Sequence, residues 1–63
     1  MSLAKNLTKV RKRADLSQAE LARRIKKSRS SVNEYEKGDH EPPLDVLKII
    51  AKVCGCELGE LVA

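Results

Sequence analysis

The sequence predicts an all-α protein, a compact bundle of five short helices that forms a single domain over residues 1–63. Hydrophobic residues make up 41% of the chain but aromatic residues only 2%, so the core must be aliphatic, which suits packed helices better than strands. Apolar residues recur at helical spacing, and no segment alternates as a strand does. A chain of 63 residues lies near the lower size limit for independent folding, so it has room for one core.

The first two helices are predicted from their apolar stripes and their caps. Residues 3–14 form an amphipathic helix, capped by Ser2, whose buried stripe consists of Leu3, Leu7, Val10 and Ala14. In the second helix, Ser17 followed three residues later by Glu20 fits a reciprocal capping box. That helix is about two turns long, and its buried face consists of Leu21, Ala22 and Ile25.

Three more helices follow. Ser28 caps a third helix that runs to Lys37, and Gly38 ends it in a left-handed conformation. Only three residues separate it from the second helix, so the two must cross at a steep angle. Pro43 suits the first position of a fourth helix, which ends at Gly55 and has a core stripe of Leu44, Leu47, Ile50, Ala51 and Cys54. A last short turn contributes Leu58 and Leu61.

The charge of the chain is divided unevenly along its length. From residue 1 to residue 29 there are ten Lys and Arg against two acidic residues, whereas residues 30–63 have three Lys against seven acidic residues. This division gives the molecule a positive side, which attracts polyanions over about a Debye length. Charge alone does not distinguish a nucleic-acid surface from ordinary solvated helix faces.

The sequence provides no support for an enzyme, a metal site or a cofactor. Cys54 and Cys56 stand one residue apart, which matches neither a four-ligand zinc site nor a CxxC redox pair, and His40 is predicted to be a solvated turn residue. Nothing indicates a small-molecule ligand. No apolar run approaches the ~18 residues of a membrane span, and the N-terminus has no signal-peptide pattern, so we expect a cytoplasmic protein.

The third helix is predicted to display a polar surface. It can bury only Val32, Tyr35 and the stem of Ser28 or Glu36, which leaves an outward face of Arg29, Ser30, Asn33, Glu34 and Lys37. Side chains of these types can hydrogen-bond to the edges of bases, and a helix N-terminus favours phosphate. The same pattern is also compatible with a plain solvated face.

Three segments in order, LSQAELARRI, SRSSVNEYEKG and PPLDVLKIIAKVCGCELGELV, resemble the lambda-repressor-like, Cro/cI-type (XRE) helix-turn-helix family. The resemblance covers about residues 7–62. It implies a five-helix bundle in which the second and third helices form the helix-turn-helix. It also implies a transcriptional regulator, expected to be a repressor, that binds specific sequences of double-stranded DNA with the third helix in the major groove.

The resemblance also implies roles for individual residues. The positions that face the bases are Arg29, Ser30 and Glu34, with Asn33 beside them. The positions that contact phosphates are Gln18, Ser28, Ser31 and Lys37. Arg11 and Glu36 match a pair that the family often uses as a salt bridge between the first and third helices, and the ring of Tyr35 is expected in the core.

Some positions depart from the family pattern. Asp15 and Lys26 stand where many relatives have glycine, and a lysine in a left-handed conformation costs about 1 kcal/mol. Lys27 replaces a commonly apolar residue. Asp39 and Glu41 stand where relatives place basic residues, which argues against a phosphate clamp from this loop.

Two functions remain open at the level of sequence. The first is a DNA-binding regulator that acts as a homodimer on an operator, with Ile49, Val53 and Val62 as its contact surface. The second is an antitoxin-like or anti-regulator module that binds a protein partner and has weak or no affinity for DNA. The acidic loop after Gly38 and the carboxylate of Glu34 favour the second.

Overall fold

A computed structural model of the chain describes residues 2–63 and confirms the expectation of a five-helix, all-α fold. The helices are α1 (Leu3–Arg13), α2 (Gln18–Ile25), α3 (Arg29–Lys37), α4 (Leu44–Cys54) and α5 (Leu58–Val62). They pack into a body of 25 × 23 × 20 Å. Within residues 2–63, no helix is both long enough and apolar enough to cross a membrane.

The first three helices begin at the serines that the sequence predicts. The Ser2 hydroxyl accepts a hydrogen bond from the backbone N–H of Lys5 at 3.2 Å. Ser17 and Glu20 form both halves of a capping box, and Ser28 caps α3. Each cap satisfies a backbone donor that has no partner within its own helix.

Four residues turn the chain through the left-handed region after helices. Gly38 and Gly55 do so at φ of +83° and +70°, where glycine has no Cβ to clash. Asp15 and Lys26 do so at +61° and +59°, as expected from their place in the sequence. Aspartate tolerates this conformation through its short polar side chain, but a lysine there is strained.

The core lies where the five helices meet. Its fully buried members are Leu7, Leu21, Ile50, Leu61 and Val32, one from each helix. Through Val32, α3 packs against this core, and its neighbours are α1 and α2. Leu3, Ala14 and Tyr35 are partly buried at the edge of the core.

Three details differ from the sequence expectations. Leu44 is 57% exposed and Val46 is buried in its place, because the apolar stripe of α4 is rotated toward Val46. The stem of Ser28 is exposed, because the residue lies outside α3 as its cap. Pro43 precedes α4, since its ψ of 161° is extended, and α4 begins at Leu44.

The buried amide of Asn6 was missed by the sequence analysis. Its Nδ2 donates to the carbonyl oxygens of Leu61 and Ala63 at 3.0 and 3.3 Å, so it binds the end of α5 to α1. Asn6 lies beside the apolar stripe of α1, one residue before Leu7. This position in the sequence could have indicated that its side chain is buried. Within residues 2–63, every buried side-chain nitrogen and oxygen has a hydrogen-bond partner.

The left-handed lysine gives a stability prediction. Replacing Lys26 by glycine should raise the free energy of unfolding by about 1 kcal/mol, because glycine adopts this conformation without strain. Urea denaturation measures the change. Lys27→Gly is the matched control, since it removes the same charge at a residue whose φ is not positive. It should not stabilise the protein, and equal effects of the two changes would contradict the role of backbone strain.

Candidate nucleic-acid interface

The face of α3 that points away from the core carries the candidate base-reading residues. Arg29, Ser30 and Asn33 are exposed, and Glu34 is partly exposed. Of the candidate phosphate contacts, Ser28 and Lys37 are exposed at the two ends of α3, while Ser31 and Gln18 are partly buried. The structure therefore places the eight predicted residues on or beside α3, around one surface.

A buried ion pair fixes α3 to α1. The Arg11 guanidinium donates through Nε to Glu36 Oε2 at 2.6 Å and through Nη2 to Glu36 Oε1 at 3.0 Å. Its third donor, Nη1, reaches the carbonyl oxygen of Leu16 at 2.8 Å. The two side chains are only 11% and 6% exposed, so the charges face each other with little solvent between them. A bidentate pair of this kind fixes orientation as well as distance.

The Glu36 carboxylate is held in its charged form. Burial by itself would raise its pKa, but hydrogen bonds from Arg11 and Gln18, together with the charge of Arg11, outweigh burial and lower the pKa below its ordinary value of 4.5. The carboxylate is therefore ionised at neutral pH and acts only as an acceptor.

Gln18, the first residue of α2, connects this pair to the surface. Its Nε2 donates to Glu36 Oε1 at 3.1 Å and lies 3.4 Å from Asn33 Oδ1. Gln18 and Asn33, with Arg29 and Ser30, line a cleft of about 250 Å³ between α2 and α3. The sequence predicted an outward role for Gln18 at a phosphate, and its inward hydrogen bonds were missed because they depend on how α2 and α3 cross.

Two serines form the N-terminal cap of α3. Ser28 Oγ accepts from the backbone N–H of Ser31 at 3.0 Å, and the two hydroxyl oxygens lie 3.0 Å apart. Both candidate phosphate contacts thus take part in the cap. The positive end of the helix dipole lies at this point, beside the exposed side chain of Arg29.

Acidic groups surround the other end of α3. Lys37 Nζ lies 3.6 Å from Asp39 Oδ2, so its charge is partly offset on the surface. Glu34 Oε1 lies 3.8 Å from His40 Nε2, which turns that carboxylate toward the loop after Gly38. The expectation that His40 is a solvated turn residue agrees with its 69% exposed side chain, but its closeness to Glu34 was missed.

Most cations of the first half of the chain stand free of acidic partners. Within residues 2–63, the pairs from that half are Arg11 with Glu36 and the exposed Arg13 with Glu60. The remaining cations of this half form no ion pair in the described chain, and five of them lie in or next to the helix-turn-helix: Arg23, Arg24, Lys26, Lys27 and Arg29. Exposed cations without acidic partners suit a polyanion.

The described residues show no group suited to metal binding and no activated thiol. Residues 2–63 contain no group of three or more His, Cys, Asp or Glu side chains that could hold a metal ion. Cys54 and Cys56 are free thiols, and burial raises the pKa of each, which disfavours the reactive thiolate. The arrangement can present the hydrogen-bonding groups of α3 together with the positive charge of α2 and of the turn between the two helices.

Comparison with known proteins agrees with this geometry. A helix-turn-helix family model, HTH_3, matches residues 7–61. Among solved structures, the P22 c2 repressor protein in complex with the synthetic operator 9T in the presence of Tl⁺ is similar, with a TM-score of 0.89. The sequences are 21% identical, over 98% of this chain and 94% of that chain, so the likeness shows the fold. No curated protein matches the sequence.

The buried pair can be tested by separating its charges. Glu36→Ala leaves the Arg11 guanidinium buried without its partner, and the free energy of unfolding should fall by about 3–5 kcal/mol. The double variant Arg11→Met with Glu36→Leu should be more stable than Glu36→Ala, because neither residue is then a buried charge. Urea denaturation and circular dichroism measure both. A loss under about 0.5 kcal/mol for Glu36→Ala would contradict a buried, structural pair.

The same carboxylate predicts acid sensitivity. The folded state depresses the pKa of Glu36, so in the window below its ordinary 4.5 the unfolded state binds more protons and stability falls as pH falls. The free energy of unfolding, measured by urea from pH 6 down to about 3, should decline less steeply in Glu36→Gln. Hydrogen bonds also lower the pKa values of Glu20 and of the exposed Glu60, so the variant should keep part of the slope. An unchanged slope would contradict the assignment to Glu36.

Proposed function

The chain belongs to the helix-turn-helix family, and from this premise we propose that it is a transcription regulator, a repressor, that binds specific sequences of double-stranded DNA. In this proposal α3 enters the major groove, and Arg29, Ser30, Asn33 and Glu34 contact base edges. Gln18, Ser28, Ser31 and Lys37 contact the backbone phosphates. The proposal includes no catalytic role, no cofactor and no small-molecule ligand.

One observation carries the proposal: α3 is fixed from behind by a buried ion pair while its other face is polar and exposed. A helix with so few apolar contacts would be marginal alone in water. Here Val32 and the Arg11–Glu36 pair hold it against α1 and α2. A rigid helix with Arg, Ser and Asn on its free face suits direct reading of the major groove, where each base pair offers a distinct pattern of donors and acceptors.

The distribution of charge supports the same proposal. The unpaired cations of α2 and of the turn before α3 lie in sequence next to the base-reading face. They would displace counterions from a duplex, so affinity should fall steeply as salt concentration rises. The similar P22 c2 repressor structure is a complex with an operator, and a comparable mode of binding is part of the proposal for this chain.

A homodimer is the proposed form on the operator. Ile49 is 44% exposed and Val62 is 56% exposed, and Val53 follows Ile49 by one helical turn with part of its surface free. A symmetric contact through these residues would place two copies of α3 on half-sites about 34 Å apart, one turn of the duplex.

A protein-interaction module without strong DNA binding is the second candidate. The observation that favours it is the acidic end of α3, where Glu34 faces His40 and the Lys37 charge is offset by Asp39. Duplex binding measured across a range of salt separates the two candidates. A DNA reader loses affinity steeply with salt, whereas weak binding with a flat slope would favour the protein partner.

Two substitutions on α3 should have different effects on DNA binding. After selection of the preferred duplex from a random pool, Arg29→Ala should cost about 1–3 kcal/mol on that duplex and relax preference at one base pair. Lys37→Ala should weaken all duplexes alike and reduce the salt slope by about one unit. Fluorescence anisotropy over several salt concentrations measures both. Lys52→Ala, on α4, is the control for general charge. Equal losses on selected and random DNA for Arg29→Ala would overturn its role as a base reader.

The dimer surface gives a separate prediction. Ile49→Lys should shift the protein toward monomer in sedimentation and lower affinity for a two-half-site operator more than for a single half-site. Leu44→Lys is a matched control, because Leu44 is also an exposed aliphatic residue of α4 but lies about 140° around the helix from Ile49. It should leave the sedimentation behaviour unchanged, and equal effects of the two changes would contradict the assigned surface.

A further inference from the structure

A chain of hydrogen bonds runs from the buried ion pair to the surface of α3. Arg11 binds both oxygens of the Glu36 carboxylate. Glu36 Oε1 also accepts from Gln18 Nε2 at 3.1 Å, and the same nitrogen lies 3.4 Å from Asn33 Oδ1. The first two residues are buried, Gln18 is partly buried and Asn33 is exposed, so the chain passes from the interior to the cleft.

The chemistry of these groups fixes the direction of each amide. A carboxylate can only accept hydrogen bonds, so Gln18 must turn its NH₂ group, and not its oxygen, toward Glu36. The nitrogen that faces Glu36 also faces Asn33. Asn33 must therefore turn its carbonyl oxygen toward Gln18, and its Nδ2 group, with two donors, remains for the outside.

We propose that Gln18 is a positioning residue, which holds Asn33 with its donors outward and thereby makes it select the base edge with two adjacent acceptors, that of guanine. The inference rests on the proposed DNA-binding function and names the specificity of one residue in it. It gives Gln18 a role in sequence preference, beyond the phosphate contact expected of it. The residue acts through Asn33 and does not itself need to touch a base.

The orientation separates guanine from adenine. In the major groove guanine offers two acceptors, N7 and O6, whereas adenine offers the acceptor N7 beside the donor N6. An asparagine pairs with adenine through its oxygen and nitrogen together, so both atoms must face the base. In Asn33 the oxygen faces Gln18, which leaves the donor edge for guanine. Asn33 in this setting should prefer guanine, although asparagine more commonly reads adenine.

The test compares two side chains of similar length at position 18. Methionine cannot donate a hydrogen bond, whereas lysine can donate to both Glu36 and Asn33. Gln18→Met should therefore free the Asn33 amide to rotate, and Gln18→Lys should keep it oriented. Thermal melting of each variant separates this effect from a loss of folding, since altered base preference in a folded variant does not follow from a purely structural role.

The experiment begins with selection of duplexes from a random pool by the wild-type protein and by Asn33→Ala. The base pair at which preference disappears in Asn33→Ala is the one read by Asn33. Dissociation constants are then measured on duplexes that carry guanine or adenine at that position. The wild type should prefer guanine by on the order of 10-fold. In Gln18→Met the ratio should fall to about 2-fold or reverse, and in Gln18→Lys it should return to the wild-type value.

Each contrary result has a distinct meaning. A wild-type preference for adenine, or the same ratio in Gln18→Met as in the wild type, would overturn this inference and leave the DNA-binding proposal standing. So would an Asn33→Ala variant that selects the wild-type sequence, since Asn33 would then read no base. If the wild-type chain enriches no sequence at all, the proposed function fails and this inference fails with it.

Discussion

The ion pair between Arg11 and Glu36 is the constraint on which the candidate surface of α3 depends. It joins α1 to α3 through two hydrogen bonds in a site where both side chains are almost fully covered. Such a pair gains little net stability over well-packed apolar residues, because removing two charges from water is costly. What it adds is orientation, since a guanidinium and a carboxylate meet in one plane and at one distance. A helix that has to present its side chains to a rigid partner benefits from a restraint of this kind.

The division of α3 into a held side and a free side follows from this constraint. Val32 and Glu36, four residues apart, lie on the same face of the helix and are its main anchors. The opposite face packs against no core residue, and its contacts within the protein are polar ones near the surface, such as those of Asn33 with Gln18 and of Glu34 with His40. The first turn is fixed by its serine cap and the last by Gly38, so neither end is left to fray.

The sequence predicted the helices well because local rules decide them. Serine caps, the left-handed glycines and the spacing of apolar residues each act within a few positions of the chain. The predictions from sequence were wrong or incomplete where the outcome depends on packing between helices. Leu44 and Val46 are equally apolar, and only the rotation of α4 against its neighbours buries one and exposes the other. For the candidate surface, the resemblance to the family predicted which residues take part. It could not predict the inward hydrogen bonds of Gln18, because these depend on how α2 crosses α3.

The amides of Gln18 and Asn33 lie outside the apolar core, and their hydrogen-bond chain ends at the buried pair of Arg11 and Glu36. Replacing either side chain would therefore disturb no close-packed apolar contact, although a change at Gln18 removes one hydrogen bond from the buried Glu36 carboxylate. Under the proposed function, duplicated copies of such a chain can diverge in the sequence that they bind through substitutions at positions 18 and 33, while the apolar core stays the same. The proposed specificity can thus change in the course of evolution without a change in the fold.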